Sequence, residues 1–261
     1  MSRGIADTVL KRDRSVVVVG LVALIALSWA YMIYLAWGMG EIEMGMEMAM
    51  PGMQVWGITD FIFMFLMWAV MMVAMMIPSA APMILVFSKL SRQQHVQQSP
   101  VRTTSVFLLG YLAVWTGFSA LATFVQWSLH SLALLSPMMV STSPIVGGVL
   151  LVGAGIFQFT PLKHACLTQC RTPLGFLMAE WRDGMGGAFQ MGLRHGGYCV
   201  LCCWLLMALL FVAGVMNLLW VATIAVIVLV EKAVPGGYRV SRAIGLLVTA
   251  WGVWMIAGTL L

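Results

Sequence analysis

Long apolar stretches alternate with short polar stretches along this chain of 261 residues. A run of roughly 20 apolar residues is long enough to cross the hydrocarbon core of a bilayer as an α-helix. The pattern predicts seven such helices, over about 16–37, 59–87, 105–129, 144–159, 188–212, 218–230 and the residues after 242. The predicted fold is therefore all-α: a polytopic transmembrane helical bundle forming a single domain over residues 16–261, with a tail at residues 1–15.

Local signals refine the helix boundaries. Pro144 suits the first turn of the fourth helix, and Pro78 and Pro82 should kink or interrupt the second helix near its far end. Polar or turn-forming stretches predict connections at 88–104, 130–143, 160–187, 214–217 and 231–242. Six helices is the alternative, if the segment 160–187 is re-entrant or if one weak apolar run lies at the membrane interface.

Composition and charge support the membrane assignment. Hydrophobic residues make up 62% of the chain and charged residues only 9%, whereas about a quarter of the residues of a soluble domain are charged. This composition excludes a large soluble core and argues against nucleic-acid binding. All 14 Lys and Arg residues except Arg194 lie in the tail or in alternate connections. The positive-inside rule then predicts a cytoplasmic N-terminus and places the segment 38–57 and the C-terminus outside.

The fifth predicted helix carries the most distinctive chemistry of the chain. Its sequence RHGGYCVLCCWLLM places His195, Cys199, Cys202 and Cys203 at i, i+4, i+7 and i+8, which is one helix face. An imidazole and three thiols on one face are soft ligands suited to Cu(I), to Zn(II) or to a thiol redox step. The alternative is that the cysteines are small buried packing residues. Arg194, beside them, is expected to lower the pKa of the thiols.

A second cluster lies upstream in the sequence KHACLTQCRTP, which contains His164, Cys166 and Cys170. Cys166 and Cys170 are four residues apart, a spacing that fits one turn of helix. One helix face cannot complete a tetrahedral metal site alone, so the two clusters are expected to meet near the cytoplasmic side. The affinity of such a site for a cation should rise with pH, because thiols must lose protons to bind a metal.

Methionines form a third pattern. The segment 38–57 contains no Lys or Arg and carries Met44, Met46, Met48 and Met50 in alternation, a pattern that suits capture of Cu(I) by thioethers. On the second helix, Met71 and Met75 belong to a stripe that could continue this path inward. The alternatives are a low-complexity loop and ordinary core packing. Asp60 is either an entry residue or a helix cap.

Several of these motifs resemble a known family. The stretches are WAVMMVAMMIPSAAPM (68–83), FQFTPLKHACLTQCRTP (157–173), HGGYCVLCCWLLM (195–207), and then GVMNLLW and VEK. They resemble a bacterial family of predicted metal-binding integral membrane proteins, which is classed as a domain of unknown function. The resemblance extends from about Asp60 to Pro235. It implies a multi-pass, metal-binding protein of the bacterial inner membrane and names no reaction.

The sequence therefore favours a membrane protein that handles, delivers or transports a soft metal ion, with Cu(I) preferred over Zn(II). Its expected partners are the lipid bilayer and a protein that donates or accepts the metal; the oligomeric state is left open. One alternative is an enzyme, either a thiol–disulfide oxidoreductase that cycles Cys199 and Cys202 or a metal-dependent oxidoreductase. The other is a structural or assembly protein whose cysteines only pack.

Overall fold

A computed structural model describes residues 2–46, 57–94, 99–131 and 144–259. These residues form helices and connecting turns, with no β-strand among them. The helices are α1 (Ser2–Met46), α2 (Ile58–Gln94), α3 (Pro100–Ser131), α4 (Pro144–Phe157), α5 (Pro161–Arg171), α6 (Pro173–Glu180), α7 (Gly184–Ala208), α8 (Leu210–Ala213), α9 (Leu218–Ala233) and α10 (Gly237–Ala257). The all-α prediction is confirmed for this part of the chain.

Several helices are long and apolar enough to cross a membrane. Within the described ranges there are five such spans, at Arg14–Gly38, Ile58–Arg92, Pro100–Ser131, Gly184–Ala213 and Gly237–Ala257. The pair α4 and α5, bent by 65°, is a sixth candidate. Helix α9 has 16 residues, fewer than the roughly 20 that a span needs. The number of seven membrane helices stays a prediction.

The second helix is longer than predicted. Pro78 and Pro82 lie inside α2 and do not end it, so an interruption is wrong, and the alternative of a kink stays a prediction. The predicted loop 88–104 is also largely helical, because α2 continues to Gln94 and α3 begins at Pro100. The physical reason is that the helix keeps a buried face beyond the prolines, where Phe87, Ser88 and Ser91 are buried.

The segment 160–187 is not an extended loop. It folds into α5 and α6 and the start of α7. The side-chain oxygen of Thr160 accepts a hydrogen bond from the Lys163 amide at 3.3 Å, and Pro161 occupies the first turn. This is an N-terminal cap followed by a proline with no amide hydrogen to satisfy. A polar cap thus starts a helix where the composition alone suggested a loop.

Helix α7 is the element around which the others pack. It contacts α3, α5, α4 and α9, and its span is the most buried of the five candidates. Gly192 and Gly196 of α7 lie close to α3, and a Cβ at Gly192 would collide with the carbonyl of Phe107. Small residues at these positions let the two helix backbones meet.

Glutamines contribute polar contacts between helices. Trp68 Nε1 of α2 donates to Gln126 Oε1 of α3 at 2.5 Å. Ser241 Oγ of α10 donates to Gln158 Oε1, just after α4, at 3.1 Å. These buried bonds fix the relative position of neighbouring helices without water.

Candidate functional site: a buried thiol cluster

The predicted ligand face of α7 is turned into the protein. His195, Cys199, Cys202 and Cys203 are all 1–2% exposed. Their spacing predicts one face, and α7 packs that face against the surrounding helices. The thiols of Cys202 and Cys203 donate to the backbone carbonyl of Cys199, at 3.1 and 2.9 Å respectively. Both thiol groups therefore point back along the helix toward the turn that contains Cys199.

Helix α5 brings the second cysteine cluster to the same place. Its buried face carries Lys163, Cys166, Leu167 and Cys170, and α5 packs against α7. The Cys170 thiol interacts with those of Cys199 and Cys202, and Cys166 lies close enough to Cys202 to interact electrostatically. All five cysteines are free thiols and all are buried. The structure thus brings together cysteines from the two sequence clusters.

A lysine completes the immediate surroundings of Cys199. Lys232 Nζ lies 2.9 Å from Cys199 Sγ and 3.1 Å from Ser79 Oγ. The hydroxyl of Tyr111 lies 3.1 Å from the same sulfur and 3.3 Å from the Met76 carbonyl. The side chain of Lys232 is buried, with 8% of its surface exposed.

A second lysine belongs to a separate buried ion pair. Lys163 Nζ of α5 lies 2.7 Å from Glu231 Oε2 of α9, and both side chains are 1% exposed. Glu231 and Lys232 are both buried on α9. The burial of Val221, Ile224 and Val228 on α9 gives the reason. The same face of the helix, followed at helical spacing, includes Glu231 and Lys232. This periodicity of the sequence could have indicated that the two residues are buried.

The imidazole of His195 lies among aromatic rings. Its ring centroid is 5.5 Å from those of Tyr111 and Phe176 and 6.2 Å from that of Phe107. Its Nδ1 atom is buried without a hydrogen-bond partner among the residues that the structure describes. A buried, unpaired ring nitrogen next to thiols is a group whose hydrogen-bonding capacity is still unused.

The comparison with protein families agrees with this chemistry. A family model described as PpoB2, a copper chaperone, matches residues 65–255. The chain belongs to the PpoB2 copper chaperone family. The matched residues include all five cysteines, both buried lysines and Tyr111. No curated protein and no solved structure matches the chain.

Not every residue proposed from the sequence lies at the thiol cluster of this PpoB2 family member. His164 is exposed, and its ring packs edge-on against Tyr238 at a centroid distance of 6.1 Å. It follows Lys163 by one residue and so faces about 100° away from the buried side of α5. The structure therefore separates His164 from Cys166 and Cys170, which the sequence grouped with it.

Arg194 also points away from the thiols. It pairs with Glu180 at the end of α6, and its side chain is 41% exposed. The expectation that Arg194 acts on the cysteines is not supported by this position, since one residue along a helix turns the side chain onto another face. Lys232 holds the place beside Cys199 that the sequence assigned to Arg194.

The structure describes the side chains of only some of the methionines proposed from the sequence. Met71 and Met75 are fully buried in α2. Met48 and Met50 lie outside the described residues, as do the side chains of Met44 and Met46. Asp60 accepts a hydrogen bond from the Gly57 amide at 2.9 Å. Because α2 begins at Ile58, Asp60 lies in its first turn and is not the N-cap residue; its side chain instead makes the reciprocal bond of a capping box.

The cluster does not already have the geometry of an assembled metal site. Across residues 57–92, 99–131 and 144–259, no group of three or more His, Cys, Asp or Glu side chains is arranged to hold a metal ion. The donor set nevertheless suits copper, because thiolates are soft ligands that select Cu(I) over hard cations.

Proposed function

We propose that this protein is a multi-pass protein of the bacterial inner membrane that binds Cu(I) as cargo and passes it to an acceptor protein. The observation that carries this proposal is the meeting of thiols from α5 and α7 beside Lys232, in a chain of the copper chaperone family. The proposed ligands are chosen from Cys170, Cys199, Cys202 and Cys203, with Cys166 and His195 next to them.

The charge balance of the site favours a monovalent ion. A buried ammonium group needs a compensating charge, and the nearest acceptor to Lys232 is the sulfur of Cys199. Lys163 and Glu231 already compensate each other. Two thiolates would therefore balance Lys232 and one Cu(I) together, whereas a divalent ion such as Zn(II) would need a third thiolate in the same buried volume.

The arrangement of the helices suggests the route of the ion. With the N-terminus in the cytoplasm, as the distribution of Lys and Arg favours, the segment 38–57 lies outside and its methionines would collect copper. The buried methionines of α2 would continue this path inward. His164 is left out of the proposed ligand set because it is exposed and contacts Tyr238.

The proposal is tested by measuring metal content. Protein purified in detergent under reducing, oxygen-free conditions is loaded with Cu(I), desalted and analysed by elemental mass spectrometry. The wild type is compared with a Cys199/Cys202/Cys203→Ser variant and with Ala122→Ser, which adds a hydroxyl at another buried position. We expect about one copper per chain in the wild type and in Ala122→Ser, and loss of copper in the triple variant.

Other outcomes would overturn the proposal. Full copper in the triple variant would exclude the thiol cluster as the binding site. No copper in any protein, with thiols that cycle reversibly between reduced and oxidised forms, would favour the thiol–disulfide oxidoreductase. No copper and thiols that never oxidise would favour cysteines that only pack. Circular dichroism of each variant checks that the helices are retained.

A further inference from the structure

A cavity of about 400 Å³ lies beside the first half of α5, and none of the five cysteines lines it. It is formed where α4 ends, α5 begins and the first turns of α10 pass by. Its polar lining includes Gln158, Thr160, Lys163, His164, Ser241 and Arg242. Phe159 and Pro161 add apolar surface at the same opening. This cavity takes no part in the proposed copper site.

The charges around the cavity are predominantly positive. Arg242 lines it, and the guanidinium carbons of Arg239 and Arg242 each lie 5.8 Å from the centre of the Tyr238 ring. Lys163 also lines the cavity, but its charge is balanced by Glu231 at 2.7 Å. Within the described residues no carboxylate forms an ion pair with either arginine, so the opening carries a positive charge that favours an anionic occupant.

A buried amide points to the same kind of ligand. Gln158 is 5% exposed and lines the cavity. Its Oε1 accepts a hydrogen bond from Ser241 Oγ at 3.1 Å, which orients the amide group. Its Nε2 has no hydrogen-bond partner within the described part of the chain. A buried N–H donor without an acceptor is costly, and this one belongs to a residue that lines the cavity.

The N-terminus of α5 adds to the positive charge around the cavity. Thr160 caps the helix and Pro161 occupies its first turn, so the positive end of the helix dipole lies at the cavity wall. A cationic side chain, an amide donor and a helix N-terminus together form a recurrent arrangement for binding phosphate groups. None of the three is shared with the thiol cluster.

We propose that this cavity binds the phosphate group of an anionic ligand, held by Arg242, by the Gln158 amide and by the start of α5. The ligand is either an anionic phospholipid or a soluble phosphate ester, since both present the same group. The exposed side chains of Phe159 and Leu162 beside the opening, 48% and 52% exposed, would suit the acyl chains of a lipid. Basic pockets between helices on the cytoplasmic side are known to hold such head groups.

The test measures binding of defined probes to the full-length protein in non-ionic detergent. The probes are dihexanoyl-phosphatidylglycerol, dihexanoyl-phosphatidylcholine and glycerol 3-phosphate, with binding followed by native mass spectrometry and by thermal stability. The variants are Arg242→Gln and Gln158→Glu. The second variant keeps an oxygen that accepts from Ser241 but replaces the amide N–H donor by a carboxylate oxygen. Arg182→Gln is the matched control, because it removes one exposed arginine that instead bonds to Gln190.

We expect phosphatidylglycerol to bind the wild type and Arg182→Gln equally, and to bind both cavity variants at least about tenfold more weakly. Binding of phosphatidylglycerol alone would identify a lipid site, whereas equal binding of glycerol 3-phosphate would identify a site for soluble phosphate esters. The proposal is overturned if no anionic probe binds the wild type, or if Arg182→Gln weakens binding as much as Arg242→Gln. Copper is absent from these measurements, so their outcome is independent of the proposed copper function.

Discussion

Lys232 Nζ lies 2.9 Å from Cys199 Sγ, between α9 and α7, and both side chains are buried. Ser79 and Tyr111 add hydrogen bonds to this pair from α2 and α3. Four helices therefore converge on one ammonium–sulfur contact. An ammonium group in such a place is expensive to bury unless the sulfur carries negative charge. The contact explains why a lysine lies in the interior of an apolar chain.

Replacing Lys232 by methionine is expected to weaken copper binding. The substitution keeps the length of the side chain but removes the charge that compensates the Cys199 thiolate. Residues that orient or tune metal ligands typically change metal affinity by roughly 10–100-fold when mutated, and we expect a loss in this range. The Cu(I) affinity is measured by competition with a chelator that becomes coloured when it binds Cu(I). Lys89→Met, at an exposed position of α2, should bind copper as the wild type does.

Arg194→Ala should leave the cysteines unaffected. Arg194, on another face of α7, pairs with Glu180, and the two side chains are 41% and 24% exposed. A solvent-exposed ion pair contributes about 0–1 kcal/mol. The rate of cysteine alkylation should have the same dependence on pH in Arg194→Ala as in the wild type, whereas Lys232→Met should change it. A changed profile in Arg194→Ala alone would contradict the placement of Lys232 as the partner of Cys199.

Cys170 and His164, which both belong to the upstream cluster, should differ in their effect on copper binding. Cys170→Ser removes a thiol that interacts with Cys199 and Cys202, and we expect it to lower the Cu(I) affinity by at least about tenfold. His164→Gln alters an exposed ring that contacts Tyr238 and should retain wild-type affinity. The same chelator competition measures both. If His164→Gln lowered the Cu(I) affinity and Cys170→Ser did not, His164 would belong to the proposed ligand set.

The buried ion pair between Lys163 and Glu231 should matter for folding. Lys163→Met leaves the Glu231 carboxylate buried without its partner, which typically costs about 3–5 kcal/mol of stability. The double variant Lys163→Met/Glu231→Leu removes both charges and should recover most of this loss. Denaturant unfolding followed by tryptophan fluorescence measures the difference. Equal losses in the single and double variants would show that the pair is not a coupled unit.

The close contact between α3 and α7 can be tested with two glycines of the same helix. A Cβ at Gly192 would collide with the Phe107 carbonyl, whereas a Cβ at Gly197 meets no atom within 4 Å. Gly192→Ala should therefore lower the melting temperature. Gly197→Ala should leave it unchanged or raise it slightly, because alanine favours the helix by up to about 1 kcal/mol. The melting temperatures of both variants are measured by thermal unfolding in the same detergent and compared with that of the wild type.

The apolar runs of the sequence were sufficient to predict an all-helical chain with several candidate membrane spans. They were not sufficient for the helix ends. The second helix continues past Pro78 and Pro82, and α5 and α6 occupy a stretch predicted as a loop. Hydropathy reports which residues prefer an apolar environment, whereas a cap such as Thr160 and a buried face at Ser88 and Ser91 keep a polar segment helical.

The sequence by itself determined that His195, Cys199, Cys202 and Cys203 share one face, because helical spacing is a local property. Only the tertiary structure decided which side chains meet that face. Lys232 is 33 residues from Cys199 along the chain, and their contact depends on how α9 packs on α7. The sequence offered Arg194 as the nearest charge, but neighbours along a helix point in different directions. Distant residues become partners only when the packing of whole helices brings their faces together.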